Sequence, residues 1–291
     1  MDKALKILTV SIFLLALIAS AVGLFYPSEG EPYSYTNHRG ETVMLNGHGL
    51  YYFDTVSTAA QMQGNDFITL CVGLPLLAVS AWYTFRGSLR GRLLLIGTLG
   101  FFLYTFMSMS MLTAYNNLFL VYVTLFGMSL YAFILSMMSV DIHTLSTHFS
   151  PGLPRRAIAV LLFAVGGFLS VVWLGRIIGP MLEGVDPVLE NTTTLVIQAM
   201  DLVLIVPLVI LAGIFLLRGS AWGYLLASVA VLKGLTMALA VSTMAINMAF
   251  KGVPDSLGVM IPFLVFTVLN LIVAVALLRS IDKKAVILQA A

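Results

Sequence analysis

Charge is what this sequence has least of. Only 10% of its 291 residues are Asp, Glu, Lys or Arg, against 60% hydrophobic, and its mean hydropathy is +1.01. A soluble domain carries about 25% charged residues to keep its surface wet. A chain this poor in charge must face an apolar medium over most of its surface, which excludes the ordinary soluble class. The net charge of +2 is too small to suggest nucleic acid as a partner. A single cysteine, Cys71, excludes an intrachain disulfide and any CxxC motif. Lying inside an apolar run, it is expected to be a small buried hydrophobe. Histidine is nearly as scarce: His38, His48, His143 and His148 form two loop pairs without HExxH spacing. Met107, Met109 and Met111 alternate, so they do not share a helix face and do not suggest copper. There is no Walker loop, no GxGxxG after a strand and no GxSxG. The sequence therefore specifies no cofactor and no metal.

Apolar runs are abundant instead. A membrane span needs about 20 mostly apolar residues. Eight runs meet this: Ile7–Tyr26, Phe67–Phe85, Leu93–Thr113, Leu118–Met138, Ala157–Ile178, Leu195–Leu217, Trp222–Met248 and Val259–Leu278. The fold expected is an all-α integral membrane protein of eight transmembrane helices. Lys3, Lys6, Arg86, Arg90, Arg92, Arg155, Arg156, Arg218, Arg279, Lys283 and Lys284 all fall on one side if each span is crossed in turn. The other side holds Arg39 and Lys251, with many of the acids, Asp54, Glu183, Asp186, Glu190 and Asp255 among them. Basic residues favour the cytoplasm, so both termini are expected there, in a prokaryotic plasma membrane. Ala19-Ser20-Ala21 resembles a signal-peptide cleavage site, but the apolar run before it is longer than usual, which favours a retained span.

The chain also repeats itself. Pro75-Leu76 leads to Arg86-Gly87-Ser88 at the spacing by which Pro207-Leu208 leads to Arg218-Gly219-Ser220, an offset of 132 residues. The same offset pairs Gly91 with Gly223 and Asp54 with Asp186. Two parallel four-helix halves are expected, 1–150 and 151–291, related by an axis along the membrane normal. Residues 27–65 of the first half form an ordered extracytoplasmic loop. Tyr33–Tyr35 and Thr42–Leu45 flank the turn Asn37-His38-Arg39-Gly40, and Asn46-Gly47-His48-Gly49 makes a second turn. Asp54 is expected to cap a short helix from Thr55 to Gln63, Asp66 to cap the second span, and Asp186-Pro187 to start a helix. A hairpin is not stable alone, so this one is expected to lean on the helices.

Ionisable groups at bilayer depth cost roughly 2.5–3.5 kcal/mol or more, so they usually face a cavity or a partner. Counting helical rise from the basic end of each span puts Lys233 roughly 16 Å in, Asn270 about 14 Å, Tyr104 about 18 Å and Tyr131 about 15 Å. Asp201 comes at roughly 25 Å, and Arg176 and Asp66 near 30 Å. Gln198 and Asp201 share a face of span six, as Lys233 and Asn247 do of span seven. These residues are expected to line an outward-opening polar cavity centred on Lys233 and Asp201, with Arg176 above and Asn270 and a tyrosine below. A structural Lys233–Asp201 ion pair without a ligand is the plainer alternative. Three classes follow. The first is binding or transport of a small polar or amphipathic solute. The second is a non-catalytic partner, sensor or assembly subunit, docking through Gly166-Gly167. The third, a membrane-embedded lipid-modifying enzyme, is the least supported, because only Lys233, Asp201 and the tyrosines qualify as acid–base groups.

Overall fold

The computed structural model describes residues 2–254 and 256–282. Asp255, Lys283 and Lys284, used above to orient the chain, lie outside the described residues. Helices account for most of the rest: α1 (Asp2–Phe25), α2 (Val56–Ile68), α3 (Leu74–Phe85), α4 (Leu89–Leu112), α5 (Phe119–Met138), α6 (Ile142–Leu145), α7 (Arg155–Glu183), α8 (Val196–Met200), α9 (Val206–Leu217), α10 (Ala221–Phe250) and α11 (Ser256–Ser280). Thr69–Gly73 is a π-helical segment joining α2 to α3, and Asp201–Ile205 is another joining α8 to α9. Counting each joined pair once, eight helices are long and apolar enough to cross a membrane.

The π segments answer a covalent problem. Proline lacks an N–H, and its ring clashes with the carbonyl four residues back. Pro75 and Pro207 sit at the starts of α3 and α9, so the carbonyls at risk belong to Cys71 and Val203. Both lie in the widened turns, which let the helix pass the proline without breaking. The two π segments are themselves 132 residues apart. The turns after α3 and α9 match as well. Gly87 and Gly219 have φ of +84° and +70°, where a side chain would be strained.

Several ends differ from expectation. The second span starts at Val56 rather than Phe67, because the polar residues before Phe67 stay helical and face protein. Thr55, not Asp54, caps it, with its hydroxyl accepting from Thr58 N–H at 3.1 Å. Asp66 lies inside α2 and caps nothing. No helix starts at Pro187; α7 runs on through Pro180 to Glu183, and the next helix begins at Val196. Arg92 is buried within α4 rather than held in a loop. Cys71 is exposed, since the π turn rotates it outward.

α4 and α10 are the most enclosed helices and pack directly on each other. Glycine permits the approach: a Cβ at Gly97 would stand 2.4 Å from Leu232 Cβ. One apolar cluster gathers α1–α5 and the first loop around Leu99, Phe101 and Phe106. A second gathers α7, α9, α10, α11 and the start of α4 around Leu93, Val231 and Leu216. Outward faces are apolar too, as with Ile7, Val10, Leu14 and Ile18 of α1. Gly97→Ala should overpack this contact and destabilise the chain by about 1–3 kcal/mol. Gly127→Ala, whose Cβ meets nothing within 4 Å, should cost nothing. Thermal unfolding in detergent separates the two.

Strands β1 (Tyr33–Thr36) and β2 (Thr42–Leu45) form the expected antiparallel hairpin, with Tyr33 opposite Leu45. It leans on the loop between α7 and α8 as well as on helices. Asn37 Nδ2 donates to Glu190 O at 2.6 Å and Arg39 to Thr192 O at 3.2 Å. The Thr55 hydroxyl donates to Glu190 Oε2 at 2.8 Å. Beneath, Asp54 Oδ1 accepts from Ala114 N–H at 2.9 Å, tying the loop to the α4–α5 turn.

Candidate functional site

A cavity of about 230 Å³ opens between α2, α4, α7, the α8–α9 helix, α10 and α11. Its walls are mostly apolar, with Phe168, Phe263 and Phe266 closing the side between α7 and α11 through edge-on ring contacts of 5.4–6.5 Å. Lys233 enters it from α10, Asp201 from the π segment, Tyr104 from α4 and Asn270 from α11.

Asp201 is held by two donors, one on each oxygen. Tyr104 Oη donates to Oδ1 at 2.7 Å and Trp173 Nε1 to Oδ2 at 2.8 Å. The carboxyl group is thereby fixed in orientation from both α4 and α7. Lys233 does not form the expected direct ion pair. Its Nζ lies 4.0 Å from the centre of the Tyr104 ring, a cation–π contact. The aromatic ring thus separates the ammonium from the acid while linking the two electrostatically. Lys233 is 6% exposed, and its stem runs over Gly100, whose Cβ would stand 3.5 Å from Lys233 Cγ. Among the described residues, no hydrogen-bond acceptor or carboxylate meets the ammonium by ordinary criteria. An ammonium has three donors, and leaving them unmet in a low-dielectric site is costly. Asn270 Nδ2 donates to Phe266 O at 2.9 Å, which leaves its carbonyl oxygen beside Gly234.

The other residues expected at the cavity lie elsewhere. Arg176 is exposed and donates to Val188 O at 2.9 Å, tying down the α7–α8 loop instead of the site. Gln198 is buried but does not line the cavity. Asn247 Nδ2 donates to Ala60 O at 2.7 Å and joins α10 to α2. Tyr131 is 63% exposed and faces outward. Asp66 faces α1, away from Lys233. Trp173, Gln61, Asn65 and Ser108 line the cavity and escape a reading by charge. Trp173 carried one usable signal: an indole N–H on an apolar helix needs an acceptor, and Asp201 was available.

No family model, no curated protein and no solved structure matches this chain.

Proposed function

We propose that this chain is a multi-pass plasma-membrane protein that binds a small amphipathic molecule in the Lys233 cavity. The observation that carries the reading is a buried ammonium that faces a cavity and, among the described residues, meets no acceptor. The head of the ligand supplies acceptors, such as a carboxylate, phosphate or carbonyl. The apolar walls take its body. At about 230 Å³ the space is just under the roughly 300–1,000 Å³ of ordinary small-molecule pockets, so the molecule is small or enters only in part. Asp201, clamped by Tyr104 and Trp173, sets the position of the Tyr104 ring under Lys233. The polar lining continues through Asn65, Gln61 and Ser108 toward the hairpin side, which favours an outward-facing site in a chain with cytoplasmic termini. Matched π segments, matched left-handed glycines and the 132-residue offset support two parallel four-helix halves. The site draws mainly on the second half, with α2 and α4 lent by the first.

Native mass spectrometry of detergent-purified wild type and Lys233→Met tests this. Wild type should carry a bound mass whose occupancy falls at least about tenfold in the variant, a loss of about 1.4 kcal/mol or more. Equal occupancy would place the molecule elsewhere. A ligand-free wild type would favour a non-catalytic partner subunit. One observation supports that second reading. Gly166 packs inside the chain against Val209, but Gly167, Gly175 and Gly179 of α7 face open space and leave a thin helix surface.

A further inference from the structure

A second polar cluster lies on the opposite side of α2. Asp66 is 1% exposed and sits among α1, α5 and the first loop. Tyr51 Oη donates to its Oδ2 at 2.6 Å, and Tyr122 Oη lies 3.4 Å from Tyr51 Oη. Room for the carboxyl group is made by Gly23 of α1, where a Cβ would stand 2.0 Å from Oδ2. The other carboxyl oxygen, Oδ1, has no partner. The Ser20 hydroxyl stands beside the same carboxyl, and it too has no hydrogen bond of good geometry. Thr69, one turn on from Asp66 and the first residue of the π segment, is fully buried with its hydroxyl unpartnered. Among the described residues no Lys, Arg or His pairs with Asp66.

The cluster therefore combines one acid with the hydroxyls of Tyr51, Tyr122 and Ser20 and, one helical turn away, the buried hydroxyl of Thr69, with no fixed cation among the described residues, within apolar helices. Burying an isolated carboxylate in such a place is costly unless something balances it. All the available ligands are oxygens, which suits a hard cation. A single carboxylate balances one positive charge, not two. By the 132-residue offset Asp66 corresponds to Gln198 and Thr69 to Asp201, so each half places one acid at this π segment, but at a different one of the two positions. In the second half the acid faces Lys233, a cation supplied by the chain. In the first half the offset puts Phe101 where the second half has Lys233, so the chain offers no equivalent lysine there and the positive charge that balances Asp66 is a proton or a bound cation.

We infer that Asp66, with Ser20, Thr69 and Tyr51, binds a sodium ion between α1 and the α2 π segment. Its test is thermal unfolding of the full detergent-purified chain, titrated with sodium chloride against choline chloride at constant ionic strength. Sodium should raise the midpoint by roughly 5–10 °C at about a hundredfold excess over its Kd. Asp66→Asn should abolish the response. Should that variant fail to fold, Thr69→Val and Ser20→Ala keep the charge and should each move the titration to about tenfold higher sodium. Equal midpoints in sodium and choline would overturn the inference. So would a response that survives Asp66→Asn, or titrations unmoved by both hydroxyl variants. The outcome is independent of whether Lys233 binds a ligand.

Discussion

Replacing Asp201 with alanine is expected to lower stability by about 3–5 kcal/mol. Two donors lose their acceptor at once, and a buried ammonium loses a nearby negative charge. The Tyr104 hydroxyl and the Trp173 indole N–H are left without an acceptor, and Lys233 loses the acid whose charge reaches it through the Tyr104 ring. Breaking such an arrangement from one side costs more than the arrangement contributes as a whole, because the remaining charge stays buried. The double variant Asp201→Ala/Lys233→Met should therefore be more stable than Asp201→Ala alone. Asp201→Asn keeps an acceptor for one donor and should fall between. Thermal or denaturant unfolding in detergent reads all four proteins. A single-variant loss below about 0.5 kcal/mol, the range of an ordinary surface change, would show that the cluster is not coupled.

The second large effect is on pH dependence. Asp54 lies just outside the second span, enclosed beneath the hairpin, and burial pushes its carboxyl up to about 7 although the Ala114 N–H favours the charged form. Unfolded, the group returns to 3.8. Between those values the folded chain binds more protons than the unfolded one, so stability falls as pH rises through that window and levels off above it. The whole difference is on the order of 4 kcal/mol. At pH 8 the charged carboxylate should make the enclosure of Asp54 beneath the hairpin less stable than at pH 5, because its desolvation outweighs the gain in the Ala114 hydrogen bond. Asp54→Asn keeps the acceptor for Ala114 and carries no charge. Its stability should be flat between pH 5 and 8 at the Asp54 contribution, where wild type declines. Unfolding midpoints at the two pH values, with hydrogen exchange at Ala114, test this directly.

The spans were legible because apolar runs bounded by arginine are hard to mistake, and the hairpin because glycine and asparagine mark its turns. The start of the second span was not, for a physical reason. Gln61, Gln63, Asn65 and Asp66 lower the local hydropathy below that of a lipid-facing helix, yet Gln61 and Asn65 face the cavity and Asp66 faces α1. Hydropathy sees polarity and not the direction it points. The site was half legible for a related reason. Counting helical rise put Lys233, Asp201 and Tyr104 at neighbouring levels, and the structure brings these three side chains together. Depth carries no azimuth, so Arg176 was grouped with the cavity and Trp173 was not. The Tyr104 ring between acid and base depends on how α4 meets α10, which is set by Gly97 and Gly100 rather than by any charged residue.

The outward rotation of Cys71 at the first π segment has a use beyond packing. It gives each molecule one exposed thiol and no other. A membrane-permeant spin label would therefore mark every chain once, at the widened turn. Any dipolar coupling between labels could arise only between two copies. The native sequence thus already contains a reporter of self-association, in which a measured distance between labels would identify two copies held together.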